Sequence, residues 1–458
     1  MAEPRFDTRE CVVCGLCLEV CPTYHLRRDE GSGPRGRLRL MDLLEAGDPD
    51  RGVWDRYLRE CVGCLACQAC CPSGVPYGAL LDRAQVRLAA NRRAGPVARR
   101  LEAWFLDGLL GRPARLRRLR PLLDLLAAMR LLELPLWLGL HRLPGLQWIE
   151  GLRWMPRRLP SGPAAPPPRP GAPHLFFPGC VSGLFHRAEE RAALRLLDAH
   201  GGYDLVGGWA CCGAVHQHLG RPEGARELAR RNIAAFEAKP GFVVTQTAGC
   251  GAAMKEYGRW LADDPEWAER ARRFSDRVRD LSEVLDPAVL AAAPGLERPR
   301  RVTYDDPCHA IHAQGIADGP RALLDAVAGL ERVEMAHPER CCGAGGTYFL
   351  RQRPLSTAMI GEKLAELRAT GAAELLTANT GCRLQWEKAV RDAGLPVAVR
   401  HPAELWAEAL ADGGGRTRGM RSIGGRAHGE QPAGGRTGGG RRAEGEPAGE
   451  RSDGGASC

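Results

Sequence analysis

Residues 11–22 read CVVCGLCLEVCP, and residues 61–72 read CVGCLACQACCP. Each is C-x2-C-x2-C-x3-C-P, the thiolate spacing of a protein that holds a pair of [4Fe–4S] clusters. Three cysteines spaced by two residues let a short loop wrap one corner of a cubane. The fourth lies beyond reach of that cluster and ligates the other. The spacing therefore assigns Cys11, Cys14, Cys17 and Cys71 to one cluster, and Cys61, Cys64, Cys67 and Cys21 to the second. Pro22 and Pro72 turn the chain away after the last ligand and supply no amide hydrogen. Zinc also uses C-x2-C pairs but needs only four ligands, so two consecutive runs ending in Cys-Pro fit it poorly. Cys70 falls inside the second spacer and reads as a packed thiol. Such clusters move one electron at a time, which implies a conductor between redox partners.

Around these motifs, residues 1–95 read as a mainly helical ferredoxin domain. The stretch GRLRLMDLLEAG between the motifs repeats apolar residues at helical spacing, and CPSGVPYGALLDRAQVRLAANRR is a second helical candidate. Residues 96–160 form a Leu/Arg-rich helical segment broken by Pro113, Pro121, Pro135 and Pro144. Its most apolar part, Leu119–Leu140, is interrupted by Asp124, Arg130 and Glu133. A spanning helix needs about 20 mostly apolar residues, so no transmembrane segment is expected. Leucines flanked by Arg112, Arg115, Arg117, Arg118 and Arg120 suit either a membrane or partner surface, or a helix packed on its own domain. Residues 161–173, SGPAAPPPRPGAP, hold six prolines in thirteen positions and read as a stiff extended linker.

Beyond the linker the chain repeats itself. Cys180, Cys211-Cys212-Gly213 and Cys250 recur as Cys308, Cys341-Cys342-Gly343 and Cys382, at offsets of 128, 130, 130 and 132 residues. That constancy implies duplication of one structural unit, with boundaries near 174–295 and 296–412. HLFFPGC, FVVTQTAGC, RVTYDDPC and ELLTANTGC are β-like runs ending at a cysteine, each followed by a helical stretch. The pattern predicts α/β units with parallel sheets, and sites in such sheets gather beyond the carboxyl ends of the strands. The four thiols of each unit admit three readings: a further iron–sulfur cluster, a zinc site, or a redox-active dithiol. His216 and His218 follow Cys212, while His309 and His312 follow Cys308. Any of them could donate a proton or bind metal, and His309, beside a candidate ligand, is the strongest.

The whole-chain properties narrow the class. Eighteen cysteines in ligand-like groups behind a charged N-terminus, MAEPRFDTRE, point to a reducing cytoplasm and not a secreted disulfide scaffold. The net charge of +9 is compatible with an anionic membrane surface, so a cytoplasmic protein with peripheral membrane association is a fitting location. Residues 413–458 contain 16 glycines and eight arginines with little to bury, and are expected to be disordered. The tail lacks the interleaved aromatics of a single-strand binder, so no nucleic-acid partner is expected. Cys458 reads as an adventitious exposed thiol.

CVVCGLCLEVCPTY, GPRGRLRLM, CVGCLACQACCPSGVPYGALLD and the two Cys-Cys-Gly units together resemble the iron–sulfur subunit of bacterial glycolate oxidase (glycolate dehydrogenase), over about residues 5–410. The same units occur in heterodisulfide reductases, lactate-utilisation proteins and the anaerobic glycerol-3-phosphate dehydrogenase small subunit. In the heterodisulfide reductase version the last cysteine begins a C-x2-C pair. Here Ala253 and Gln385 stand at those positions, which puts a five-thiol non-cubane cluster in doubt. The resemblance implies an electron-transfer subunit of a 2-hydroxy-acid dehydrogenase, with glycolate oxidised to glyoxylate on two FAD-linked partner subunits. Electrons would pass on to a quinone or another membrane acceptor. GAGGTY at 343–348 lacks the G-x-G-x-x-G spacing, in keeping with flavin held by the partners alone. No catalytic residue is expected in this chain.

Overall fold

A computed structural model describes residues 10–46, 51–90, 95, 100, 102–129, 134–139, 151–152 and 161–411. The Gly/Arg tail and Cys458 lie outside the described residues.

The amino-terminal part is helical. Helices Leu16–Glu19, Pro22–Arg27, Pro34–Glu45, Arg51–Arg59, Ala66–Ala69 and Tyr77–Ala90 carry no strand between them among the described residues. Pro22 and Pro34 open their helices, where a missing N–H costs nothing. Leu38, Met41, Leu58, Tyr77, Leu80, Leu81 and Ala84 form the core, with Cys11, Cys61, Cys67 and Cys71 packed against it. Gly36 has one workable identity. A Cβ there would lie 2.0 Å from the Glu30 carbonyl oxygen, so the turn into helix Pro34–Glu45 accepts only glycine.

The Leu/Arg segment folds into a π-helical turn, Trp104–Leu110, and helices Pro113–Arg118, Arg120–Ala128 and Leu134–Trp137. Its inner face, Leu106, Leu110 and Leu116, is buried in the core of the first cysteine-rich unit. Its outer face leaves Trp104, Phe105, Leu122, Leu125, Met129 and Trp137 exposed.

The two units have the same topology. The first contains β1 (His174–Phe176), β2 (Tyr203–Leu205), β3 (Phe242–Thr245) and β4 (Val278–Asp280), in the order β2-β1-β3-β4. The second contains β5 (Arg300–Asp305), β6 (Leu330–Arg332), β7 (Glu374–Thr377) and β8 (Ala398–Arg400), in the order β6-β5-β7-β8. Every pairing is parallel. The registers are parallel in detail too: Leu175 faces Val243 across β1/β3, and Thr303 faces Leu375 across β5/β7. In both sheets the strand order reverses at one place, between β1 and β3 and between β5 and β7. Such switch points open a crevice at the carboxyl ends of the strands.

The units share a core. Leu196, Leu197, Phe176 and Val244 of the first pack with Tyr304, Leu324, Leu376 and Trp406 of the second. At their junction Glu189, fully buried, accepts from Arg383 Nη1 at 3.1 Å and from Thr380 Oγ1 at 3.3 Å. The Pro-rich stretch 161–173 is not a free spacer. Arg169 N donates to Tyr203 O at 2.7 Å, Tyr203 Oη donates to Pro166 O, and Ala165 packs on the shared core.

The ferredoxin part docks on both units. Tyr348 Oη donates to Glu60 O at 2.9 Å, and Arg259 pairs with Asp82 at 2.7 Å. Gly220, at φ +69°, approaches helix Tyr77–Ala90 so closely that a Cβ would lie 2.2 Å from Gln85 O. Gly220→Ala should therefore lower global stability by about 1–3 kcal/mol, from left-handed strain plus overpacking. Urea unfolding followed by circular dichroism would measure it, and a wild-type midpoint would contradict the close approach.

Candidate iron–sulfur and thiol sites

The two cysteine motifs fold into near-identical loops. In C11-V12-V13-C14-G15 the left-handed residues are Val13 (φ +57°) and Gly15 (φ +87°). In C61-V62-G63-C64-L65 they are Gly63 (φ +71°) and Leu65 (φ +65°). A β-branched residue in that region is strained, and such strain persists only where the surroundings fix it. Here the loop must curl around something central.

The structure brings Cys11, Cys14, Cys17 and Cys71, with Cys67 as well, around one small cavity, floored by Leu38, Val75 and Tyr77. Cys21, Cys61, Cys64 and Cys67 ring a second, beside Pro22, Thr23 and Arg37. The last cysteine of each motif thus lies at the other motif's cavity, and Cys67 lines both. As free thiols, three of these groups resist ionisation. Burial pushes Cys17 up to about 11, and lifts Cys64 and Cys67 well above the ordinary thiol value. A buried thiolate needs a positive partner, and iron would supply it. Among the described residues no three His, Cys, Asp or Glu side chains close on a single-ion site. Eight thiols ringing two cavities are instead the donor arrangement that two multi-iron clusters require, so the residues fit that group.

Arg37, from the GPRGR stretch, adds a fixed charge to the second cavity. It is 1% exposed, donates from Nε to Tyr57 O at 2.8 Å and from Nη2 to Thr23 Oγ1 at 2.9 Å, and has Nη1 3.9 Å from Cys21 Sγ. Burial opposes its charge, but Cys61, Tyr77 and Cys21 more than offset that and hold it above its ordinary value. Tyr77 Oη donates to Cys61 Sγ at 3.7 Å. Cys70 donates its thiol to the Cys67 carbonyl at 3.7 Å and lies near enough to Cys17 to help raise it.

In each cysteine-rich unit the four thiols converge at the switch-point crevice. Cys180 follows β1, Cys250 sits in the helix after β3, and Cys211-Cys212 lie on the loop after β2. All are buried. Cys180 Sγ lies 3.5 Å from Cys211 Sγ. The second unit repeats this with Cys308, Cys382 and Cys341-Cys342. The first cysteine of each pair is the acidic one. Cys211 accepts from Cys180 and Cys212, and Cys341 from Cys308 and Cys342, which holds both well below the ordinary thiol value. Gly343 N–H adds a further donor to Cys341 Sγ at 3.4 Å. Cys180 and Cys308, as donors in burial, are pushed well above it.

The loops carrying these pairs are anchored by residues no motif disclosed. Asn232 accepts from Ala210 N at 2.7 Å and donates to Cys211 O at 3.1 Å and Tyr257 Oη at 3.0 Å, and Tyr257 Oη donates to Cys212 O at 2.9 Å. In the second unit Lys363 stands on the corresponding helix. Its ammonium donates to Pro338 O and Arg340 O at 2.7 Å and meets Asp305 at 2.6 Å, both side chains being 1% exposed. Gln385, at the position noted above, donates to Ser356 Oγ at 2.8 Å, and Ser356 Oγ donates to Gly343 O at 2.8 Å.

The histidines divide. His216 Nε2 lies 3.0 Å from Asp107 Oδ1, tying the Trp104–Leu110 turn to the first unit. His309 Nδ1 is 3.4 Å from Cys308 Sγ, and its ring meets His218 edge-on at 5.9 Å. Burial pushes His309 down to about 4, so it is neutral.

The second ferredoxin cavity and the second unit adjoin. Cys64, Val62 and Ala66 pack in one cluster with Cys308, Cys341 and Tyr348. Gly345 of GAGGTY meets Val62 there and leaves no room for a side chain, since a Cβ would lie 2.8 Å from Val62 Cγ2.

A two-cluster helical ferredoxin fused to a duplicated cysteine-rich α/β unit is the class these features define. Residues 7–75 match the family described as 4Fe-4S dicluster domain, and residues 174–255 and 302–387 each match the cysteine-rich domain family. The chain is 36% identical over 421 residues to the probable glycolate oxidase iron-sulfur subunit of Bacillus subtilis (strain 168), covering 87% of this chain and 93% of that one. It is 31% identical to the glycolate oxidase iron-sulfur subunit of Escherichia coli (strain K12), covering 88% and 94%. Lactate utilization protein A of Geobacillus kaustophilus is 32% identical over 231 residues, 50% of this chain and 96% of that one. The chain belongs to the family of glycolate oxidase iron–sulfur subunits.

Lys363→Met strands Asp305 in the interior and should cost about 3–5 kcal/mol of stability. The double variant Lys363→Met/Asp305→Asn should recover part of it. Guanidinium unfolding of the three proteins checks both statements.

Proposed function

We propose that this chain is the electron-conducting subunit of a flavin-dependent glycolate oxidase complex. Two FAD-linked partner subunits would oxidise glycolate to glyoxylate, and the chain would carry the electrons toward a quinone or another membrane acceptor. The observation that carries the reading is the packing of Cys64 against Cys308 and Cys341. It joins Cys64 of the ferredoxin part to the buried thiols of the second unit. Iron–sulfur clusters, when bound, supply one-electron transfer at tunable potentials. Cys11, Cys14, Cys17 and Cys71 would hold one, and Cys61, Cys64, Cys67 and Cys21 the other. Cys180, Cys211, Cys212 and Cys250, with Cys308, Cys341, Cys342 and Cys382, would hold further iron–sulfur or zinc. The chain's own residues exclude water, orient the thiols and, through Arg37, set a positive charge beside the second cavity. Substrate oxidation lies with the partners, so the isolated chain should not oxidise glycolate.

Lactate or glycerol-3-phosphate can replace glycolate in this scheme, because selectivity belongs to the partner. A cytoplasmic chain resting on the inner membrane face fits the exposed Trp104, Phe105, Leu122 and Leu125 beside Arg112, Arg115 and Arg118. A thiol–disulfide reductase is the second reading, favoured by the acidic Cys211 hydrogen-bonded to Cys180.

Anaerobically purified chain should contain at least about eight iron and eight sulfide, the content of two cubanes. Cys11→Ser and Cys61→Ser should abolish glycolate-driven dye reduction by the complex, and full activity in both would refute conduction. Disulfide reduction by the isolated chain would favour the second reading.

Arg37→Met should lower the potential of the second cluster. Reduction adds a negative charge that Arg37 stabilises, and Coulomb's law at an effective dielectric near 20 gives a shift on the order of 100 mV. An EPR-monitored redox titration reads it directly.

A further inference from the structure

A cavity of ≈ 230 Å³ opens where the ferredoxin part and both cysteine-rich units meet. Its wall is assembled from residues that flank candidate redox thiols. Leu65 follows Cys64, Ala214 lies two residues after Cys212, Ala252 two after Cys250, and His309 follows Cys308. A shared void among them is the natural place for electrons to leave.

The lining says what could enter. Ala79, Leu81, Ala253 and Trp260 make apolar surface, while His218, His312 and Gln217 offer hydrogen-bonding groups. The charges present are spent on one another. Arg259 donates to Asp82 at 2.7 Å and Arg259 Nε lies 2.5 Å from Glu256. The wall therefore has no uncommitted cation among the described residues for a carboxylate or a phosphate, which disfavours a hydroxy acid or a nucleotide. The volume lies below the range of about 300–1,000 Å³ usual for drug-sized ligands, and suits a one- or two-ring compound. A neutral ring dione meets each condition: flat apolar body, two carbonyl acceptors, and the ability to take electrons one at a time.

The exposed apolar turn lies close to the cavity. Helix Ala214–His218 lines the cavity, and its His216 holds Asp107 of the turn that exposes Trp104 and Phe105. One helix separates the exposed apolar face from the cavity.

We propose that this cavity is the reduction site for the headgroup of a lipid quinone, an inference that rests on the conducting role above and gives it an exit. Two electrons from the hydroxy acid, delivered singly through this chain, and two protons taken from solvent at the open side of the cavity convert the dione to the diol; oxidation of the hydroxy acid to the oxo acid returns two protons to solvent.

The test uses the intact complex with its flavin subunits. A photoreactive azidoquinone should label peptides spanning 214–218 or 309–313, and excess decylubiquinone should suppress that labelling. Ala79→Phe and Ala313→Phe, placed in different parts of the chain, should each raise the KM for decylubiquinone at least tenfold while iron content stays at the wild-type level. Labelling confined to peptides outside the wall, or a wild-type KM in both iron-loaded variants, overturns the proposal. Loss of glycolate-driven ferricyanide reduction by the wild-type complex would instead refute the conducting role. Photolabelling of the wild-type chain still decides the cavity in that event.

Discussion

A sulfur anion buried away from water must be met by positive charge or by hydrogen-bond donors, and the whole structure answers to that constraint. The chain satisfies it in two ways. In the ferredoxin part the donors are few and the thiols ring cavities, so the compensation has to come from iron, aided by Arg37. In the cysteine-rich units the thiols compensate one another. The leading cysteine of each Cys-Cys-Gly loop collects hydrogen bonds from thiols on either side, which makes it the more acidic of the pair. Gly213 and Gly343 make this possible, since only a left-handed turn (φ +86° and +78°) folds the pair back on itself.

Topology delivers the thiols to those places. Three strand ends in each unit contribute cysteines, and the two central strands are those between which the order reverses. Side chains far apart in sequence therefore meet without a long excursion of any loop. The duplicated units hold their paired-cysteine loops by different chemistry. The first uses neutral Asn232 and Tyr257, and the second an ammonium–carboxylate pair, Lys363 with Asp305. A charge lies near the thiols of one unit and not at the matching place in the other.

Much of this was legible in the residues. Ligand spacing is a local property, so the eight motif cysteines and their helical setting could be read directly. The constant offset between cysteine landmarks disclosed the duplication, and HLF, FVVT and ELLT are apolar enough to read as buried parallel strands. The outer strands were not legible. β2, β4, β6 and β8 are only three residues long, YDL, VRD, LER and AVR, and all carry a charge. Their identity comes from pairing with a neighbour, a long-range contact. Asn232 and Lys363 escaped notice for the same reason: each lies within a helix, and its task is set by a loop distant in sequence. The Pro-rich stretch read as a spacer because its composition records stiffness and not the sheet edge that Arg169 finds.

The fusion of the two sheets through a common interior has an evolutionary corollary. Helices Arg187–Ala199 and Pro402–Ala411 enclose the same apolar volume, and Glu189 of one half is neutralised by Arg383 of the other. Neither half could be inherited, exchanged or split off as an autonomous module without exposing that interior and orphaning a charge. Once joined, the two copies were free to diverge in their cysteine surroundings but bound to descend together.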